Sequence, residues 1–200
     1  MKEVFYEESS LIQDQGTAKL KYNVFKILSI LSYVIFGFWL FIVFWFFKLF
    51  SGNIILNLIF VLIPAVIFFC SGLFLGRMKN KFYVDYDYTF VSGSIRFSKV
   101  IKNIKRKFIA KFDSSDIEKL GKYGSEVYEK YSVMNGIDKM ILTSNNIASE
   151  GKEFFYLVVN KDAVKTLYVL ECTETFIVNI LKFANKGIID DEYLKEINKR

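Results

Sequence analysis

The residues best suited to chemistry are Asp85 and Asp87 in the stretch DYDYTFVSGSIRF (85–97), where two carboxylates alternate with tyrosines. Residues two apart on an extended strand share a face, which brings the two carboxylates close enough to share a cation. Magnesium or calcium asks for more oxygens than such a pair supplies, and the next acids, Asp113 and Asp116, lie two strands further on. With Lys81 and Lys99 close in sequence, Asp85 and Asp87 are expected to form a solvated face opposite an aromatic one.

What the chain lacks narrows the chemistry further. It contains no histidine, which removes the usual general base at neutral pH, the Ser-His and Cys-His nucleophile pairs and the histidine-containing zinc sites. Cys70 and Cys172 stand too far apart for a Cys-x-x-Cys motif or a disulfide framework. The serine pairs Ser9-Ser10 and Ser114-Ser115 have no evident base, and no glycine spacing fits a dinucleotide or phosphate loop. The expectation is a chain that is not an enzyme, with no catalytic residue, metal or cofactor.

Composition sets the frame in which these residues sit. Hydrophobic residues make up 52% of the chain and aromatic ones 18%, too apolar for an ordinary soluble domain. The excess lies in two uncharged runs, from Ile27 to Phe47 and from Leu49 to Gly76, each long enough to cross about 30 Å of hydrocarbon as a helix. The expected organisation is a polar N-terminal segment (1–22), a transmembrane helical hairpin (24–76, spans about 26–48 and 54–76), a folded domain (80–187) and a polar tail (188–200) in which a short second helix is possible. KLFSGN (48–53) forms the tight connection between the spans, and Pro64 is a passive kink in the second. Lys19, Lys21 and Lys26 precede the first span and Arg77, Lys79 and Lys81 follow the second, with only Lys48 between them. The positive-inside rule therefore puts both termini in the cytoplasm, on a multi-pass protein of the inner membrane.

In KFYVDYDYTFV, the apolar positions Phe82, Val84, Tyr86, Tyr88 and Phe90 alternate with Lys81, Tyr83, Asp85, Asp87 and Thr89, the period of a half-buried strand. Ser92 and Gly93 turn the chain into a second strand with Ile95 and Phe97 inward. RKFIAKF gives a third, with Phe108, Ala110 and Phe112 on one face. DSSDIEKLG (113–121) is expected to be one capped turn ended by glycine. Residues 121–136 are charged and glycine-rich and hold at most one irregular strand, around Val127 to Val133. KMILTS, EFFYLVVN and VKTLYVLE follow as strands, the last two joined through Lys161 to Ala163. TETFIVNILKFANKG then switches to helical spacing, with Thr173 as N-cap and Gly187 at the end.

Six or seven antiparallel strands followed by one amphipathic helix resemble the pleckstrin-homology-like superfold. The whole chain resembles a family of small bacterial membrane proteins of unknown function, carried by DYDYTFVSGSIRF, the basic KNIKRK (102–107) and DSSDIEKLG. The resemblance implies a membrane helical hairpin followed by an α+β, mainly antiparallel, PH-like small barrel with a C-terminal capping helix, and it implies no catalytic residues.

Charge is the remaining functional signal. Between Arg77 and Phe112 ten Lys or Arg face two Asp, a balance of +8, whereas Asp113 to Arg200 carries twelve against fifteen, or −3. Basic residues beside an anionic leaflet gain about 1 kcal/mol each, which makes Lys102, Lys105, Arg106, Lys107 and Lys111 the lipid-headgroup candidates. Nucleic acid is not an expected partner, because the basic patch is short and tethered near the bilayer. The expected function is a non-enzymatic, membrane-anchored binding module holding a partner protein or peptide at the inner leaflet. The alternatives are an anionic-lipid sensor and an accessory subunit that meets a membrane complex through its hairpin.

Overall fold

The computed structural model describes residues 4–46 and 54–198. The chain divides into two compact units, Asp14–Tyr83 on one hand and Met1–Gln13 with Val84–Arg200 on the other.

The first unit is a helical hairpin of α1 (Gln15–Phe46) and α2 (Ile54–Met78), closed by a 3-10 turn over Lys79–Lys81. At about 1.5 Å per residue both exceed the roughly 30 Å of a hydrocarbon core, and both are long and apolar enough to cross a membrane. The connection at 48–53 lies outside the described residues. α1 begins well ahead of its uncharged run, because Asp14 caps it by accepting the Thr17 N–H at 2.9 Å. The helices run antiparallel: Ser29 donates to the Gly72 carbonyl at 2.8 Å, and Trp39 Nε1 donates to the Val61 carbonyl at 3.2 Å. A Cβ added at Gly72 would lie 2.8 Å from the Tyr33 ring, and one at Gly76 would lie 3.2 Å from Ser29 Oγ. Gly72-x-x-x-Gly76 is thus a small-residue spacing that lets Ser29 and Tyr33 approach the backbone of α2. α2 runs on through Pro64.

Among the described residues the second unit holds eight strands in two sheets. β1 (Phe5–Ser10), β2 (Val84–Val91), β3 (Ser94–Ile101) and β4 (Lys105–Asp113) form an antiparallel sheet in that order. After a capped 3-10 turn at Ser114–Asp116 come β5 (Ile117–Lys122), α3 (Glu126–Val133), β6 (Ile137–Ile141), β7 (Glu153–Lys161), β8 (Val164–Cys172), α4 (Glu174–Leu181) and α5 (Asp191–Ile197). The second sheet has the order β5-β7-β8-β6. Its β6–β8 pairing is parallel, within sheets that are otherwise antiparallel, as the mainly antiparallel expectation allows. Positive φ at Ser92 and Gly93, and again at Asp162 and Ala163, closes the β2–β3 and β7–β8 hairpins with the backbone twist that strands favour.

The core lies between the sheets. Tyr88, Phe90, Ile95, Phe97 and Phe112 meet Leu120, Phe155, Leu157, Tyr168 and Leu170, and α4 adds Phe176, Ile177 and Ile180. Phe97 stacks edge-on against both Phe112 and Tyr168 at 5.3 Å.

Several elements differ from their sequence patterns. FYEESS, inside the expected polar N-terminal segment, is strand β1, with Phe5 opposite Val91 and Ser10 opposite Tyr86. Its own residues bury little, and it exists because β2 offers a hydrogen-bonding edge. Val127 to Val133 belongs to helix α3, because Ser125 caps it by accepting the Tyr128 N–H at 3.2 Å. The helix places Val127, Tyr128 and Tyr131 on Tyr156, Val158 and Leu167. IEKLG is strand β5, so Gly121 does not end a turn. A bulge in the β3–β4 pairing sets Phe97 opposite Ala110 and Ser98 opposite Phe108. It shifts Phe108 off the face of Phe112 and leaves it 54% exposed. Thr173 occupies the N-cap position of α4 as expected, but its hydroxyl is engaged by Glu8 and Tyr6 and makes no capping bond.

Gly121 shows how close the C-terminal tail lies to β5. Backbone bonds run from Leu120 N–H to the Ile188 carbonyl and from Asp190 N–H to the Leu120 carbonyl, both 2.8 Å. A Cβ at Gly121 would sit 2.7 Å from Asp190 Cβ and 2.8 Å from the Tyr156 ring. Gly121→Ala should therefore cost about 1–3 kcal/mol through overpacking, read as a lowered denaturation midpoint of the purified chain. An unchanged midpoint would show that the tail gives way freely.

Candidate functional site

Asp85 and Asp87 lie on the outer face of β2, yet they are only 2% and 5% exposed. This corrects the expectation of a solvated face. Water is displaced by β1 and the residues after it. Ile12 N–H donates to Asp85 Oδ1 at 2.8 Å, and Ser9 Oγ donates to Asp87 Oδ1 at 2.7 Å. Arg106 reaches across from β4 and puts its guanidinium 3.0 Å from Asp87 Oδ2 and 3.7 Å from Glu7. Burial pushes the Asp85 carboxyl above its usual range; the Ile12 N–H works against the shift and neighbouring Asp87 adds to it. A cleft of about 280 Å³ opens here, lined by Leu11, Val100 and Ile104 together with the two aspartates, Asn103 and Arg106. Among these groups Arg106 already supplies the cation that the Asp87 carboxylate pairs with.

The five headgroup candidates do not form one patch. Lys102 sits in the β3–β4 turn with Asn103, both at φ 55°, and Lys105, Arg106 and Lys107 open β4. Arg106 turns onto the acids just described. Lys107 lies across from Lys99. Lys111 lies near the far end of β4, about 20 Å along the strand from Lys105. There its carbonyl accepts a hydrogen bond from Lys161 Nζ at 2.7 Å.

That far end carries a second opening, of about 400 Å³. It runs beside the free edge of β4, with Phe108, Phe112, Val159, Val164 and Tyr168 as apolar lining and Lys111, Lys161 and Asp162 around it. Among the described strands β4 pairs with β3 alone, and its other edge has no strand partner there.

Sequence reasoning did not single out Glu171, which is fully buried. Its Oε2 accepts from Ser10 Oγ at 2.7 Å, Thr143 Oγ1 at 2.6 Å and Asn145 Nδ2 at 2.8 Å. Its Oε1 accepts from Ser149 N–H at 2.9 Å and Ser149 Oγ at 2.6 Å. Burial alone would raise this carboxyl, but the bonds from Ser149, Thr143 and Ser10 outweigh it and hold the group at about 2. At neutral pH it is a fixed acceptor and a poor base. Nothing local in the sequence marks it, since its donors come from β1 and the loop between β6 and β7.

A second buried acid, Asp190, accepts from Ser125 Oγ at 2.7 Å and from the Tyr156 hydroxyl at 3.0 Å. Tyr156 is raised above the usual phenol range by burial and by Asp190. These bonds tie α3, β7 and the C-terminal tail together.

Residues 3–190 match the family model described as "Bacterial PH-like domain (DUF6106)", and the chain belongs to that family. Neither the curated proteins nor the solved structures give a match.

The Glu171 cage has a pH signature. Its folded pKa of about 2 lies below the ordinary 4.5, so it contributes about 3 kcal/mol that is fully present above pH 4.5 and lost as pH falls from there toward 2. Glu171→Gln, which places an amide NH2 among donors, should destabilise the chain at pH 7 by about 3 kcal/mol. Its stability should also vary less than the parent's between pH 4.5 and 2, as measured by denaturant unfolding at each pH. Parallel curves for the two proteins would rule out the cage as the source.

Proposed function

We propose that this PH-like chain is a non-enzymatic, membrane-anchored binding module that holds an extended segment of a partner protein along the open edge of β4. The observation that carries this is the groove beside that edge, where backbone without a partner strand, its Lys111 carbonyl held by the Lys161 side chain, lies next to the apolar lining of Phe108, Phe112, Val164 and Tyr168. An added strand draws affinity from main-chain hydrogen bonds and specificity from pockets for alternate side chains. Lys111 and Lys161 outnumber Asp162 around the groove, which favours an acidic segment. The two long apolar helices support the anchor. Lys19, Lys21 and Lys26 before α1 and Arg77, Lys79 and Lys81 at the end of α2 and beyond it support a cytoplasmic position for both termini.

The test uses the full chain in lipid nanodiscs and a short fluorescent peptide alternating glutamate and valine, followed by anisotropy. Saturable binding is expected, roughly tenfold weaker in the Lys111→Glu/Lys161→Glu variant, equivalent to about 1.4 kcal/mol. A photoreactive side chain at exposed Phe108 should crosslink the peptide. If a lysine-valine peptide binds equally well, or neither binds, the proposal fails.

A further inference from the structure

We infer that the β3–β4 turn is a lipid-contacting loop, with Ile104 entering the interface of an anionic leaflet and the lysines around it on the headgroups. This inference stands apart from the peptide groove, which lies at the other end of β4.

Three observations within the second unit carry it. First, the turn lies at the end of the sheet from which both connections to the helical hairpin leave. β1 ends at Ser10 opposite Tyr86, β2 starts at Val84 opposite Ile101, and Ile101 is opposite Lys105. From Gly76, the last residue of the uncharged run, to Val84 the chain spans at most about 28 Å when extended, and the 3-10 turn at Lys79–Lys81 shortens it. Connectivity alone therefore keeps this end of the sheet within reach of a bilayer crossed by α2.

Second, the turn presents an apolar side chain outward. Ile104 is 79% exposed at its tip, although a polar residue would serve a solvated turn better. Ile147, 77% exposed, belongs to the same end. Its carbonyl accepts from Gln13 Nε2 at 2.9 Å, and Gln13 is the last residue before the helical unit. Two exposed isoleucines at the end that carries the membrane connections form the pattern of side chains that dip into an interface.

Third, the charge is placed to match. Lys102 precedes Ile104, and exposed Lys105 and Lys107 follow it. Each lysine near an anionic surface is attracted within a Debye length of about 8 Å. Arg106 is withdrawn from this set by Asp87 and Glu7, and Lys111 by its distance.

The test labels Ile104→Cys with a nitroxide in a Cys70→Ser background, leaving Cys172, which is fully buried. The full chain is placed in nanodiscs of phosphatidylcholine with or without phosphatidylglycerol, and the relative access of oxygen and a water-soluble nickel complex to the label reports its depth. A label at Phe5→Cys, on an exposed residue opposite Val91 at the other end of the sheet, serves as the aqueous reference. In anionic nanodiscs the label at 104 should be several-fold less accessible to nickel than the label at 5, and Lys105→Glu/Lys107→Glu should abolish that difference. Equal nickel access at the two labels, or a depth indifferent to lipid charge, would overturn the inference.

Discussion

A carboxylate buried without a cation is the constraint on which the second unit depends. Moving Glu171 out of water carries a large desolvation cost, and in place of a countercharge it meets five hydrogen bonds from Ser10, Thr143, Asn145 and Ser149. Such a cage works only when complete, because any missing donor leaves a buried lone pair unmet. Three pieces of chain must therefore be in place together: the end of β1, the loop after β6 and the C-terminal end of β8. The same pieces are joined around the cage by Asn145 Nδ2 on the Leu11 carbonyl at 2.8 Å and by Lys152 Nζ on the Ser9 carbonyl at 2.6 Å. The polarity of this seam selects one arrangement of segments that apolar packing alone would leave freer to slide.

The seam has a topological consequence. β1 belongs to the same sheet as β2, and the entire helical hairpin is inserted between them. Two strands can pair only on one side of a bilayer, so any membrane crossings between Ser10 and Val84 must be even in number. Two apolar helices satisfy that condition and one would not. The pairing thus bears on the same-side placement of the hairpin ends without using the lysine count. It also means that β1, made first, finds β2 only after the hairpin is complete, and its register rests on polar partners such as Glu8, which accepts from Thr173 N–H at 3.0 Å.

What the sequence revealed and what it hid divide along the range of the interactions involved. The β2–β3 hairpin was legible because Tyr88, Phe90, Ile95 and Phe97 alternate and Ser92-Gly93 adopts the φ values of a tight turn. α4 was legible from Phe176, Ile177 and Ile180. β1 was not, because its strand character comes from β2 and its residues are mostly polar. α3 reads as strand because Val127, Tyr128 and Tyr131 carry strand propensity, while a single serine cap and the apolar shelf of Tyr156 decide for helix. The burial of Asp85 and Asp87 could not be read locally, since the groups that shield them lie at positions 9, 12 and 106. The inserted residue at Ile109 is likewise invisible in sequence, though it alone sends Phe108 to the outer face.

That bulge and the Arg106 pair reshape the basic hairpin into two separate features. Counted along the sequence, β4 and its turn form one run of positive charge. In space, the middle of the run is neutralised by Asp87 and Glu7 while Lys102, Lys105 and Lys107 stay at one end and Lys111 joins Lys161 at the other. Two lobes of positive potential about 20 Å apart are separated by more than twice the Debye length of about 8 Å at physiological salt, so an anion at one lobe scarcely feels the other. A single strand can therefore face a lipid surface at one end and a protein segment at the other without either partner competing electrostatically for the same charge.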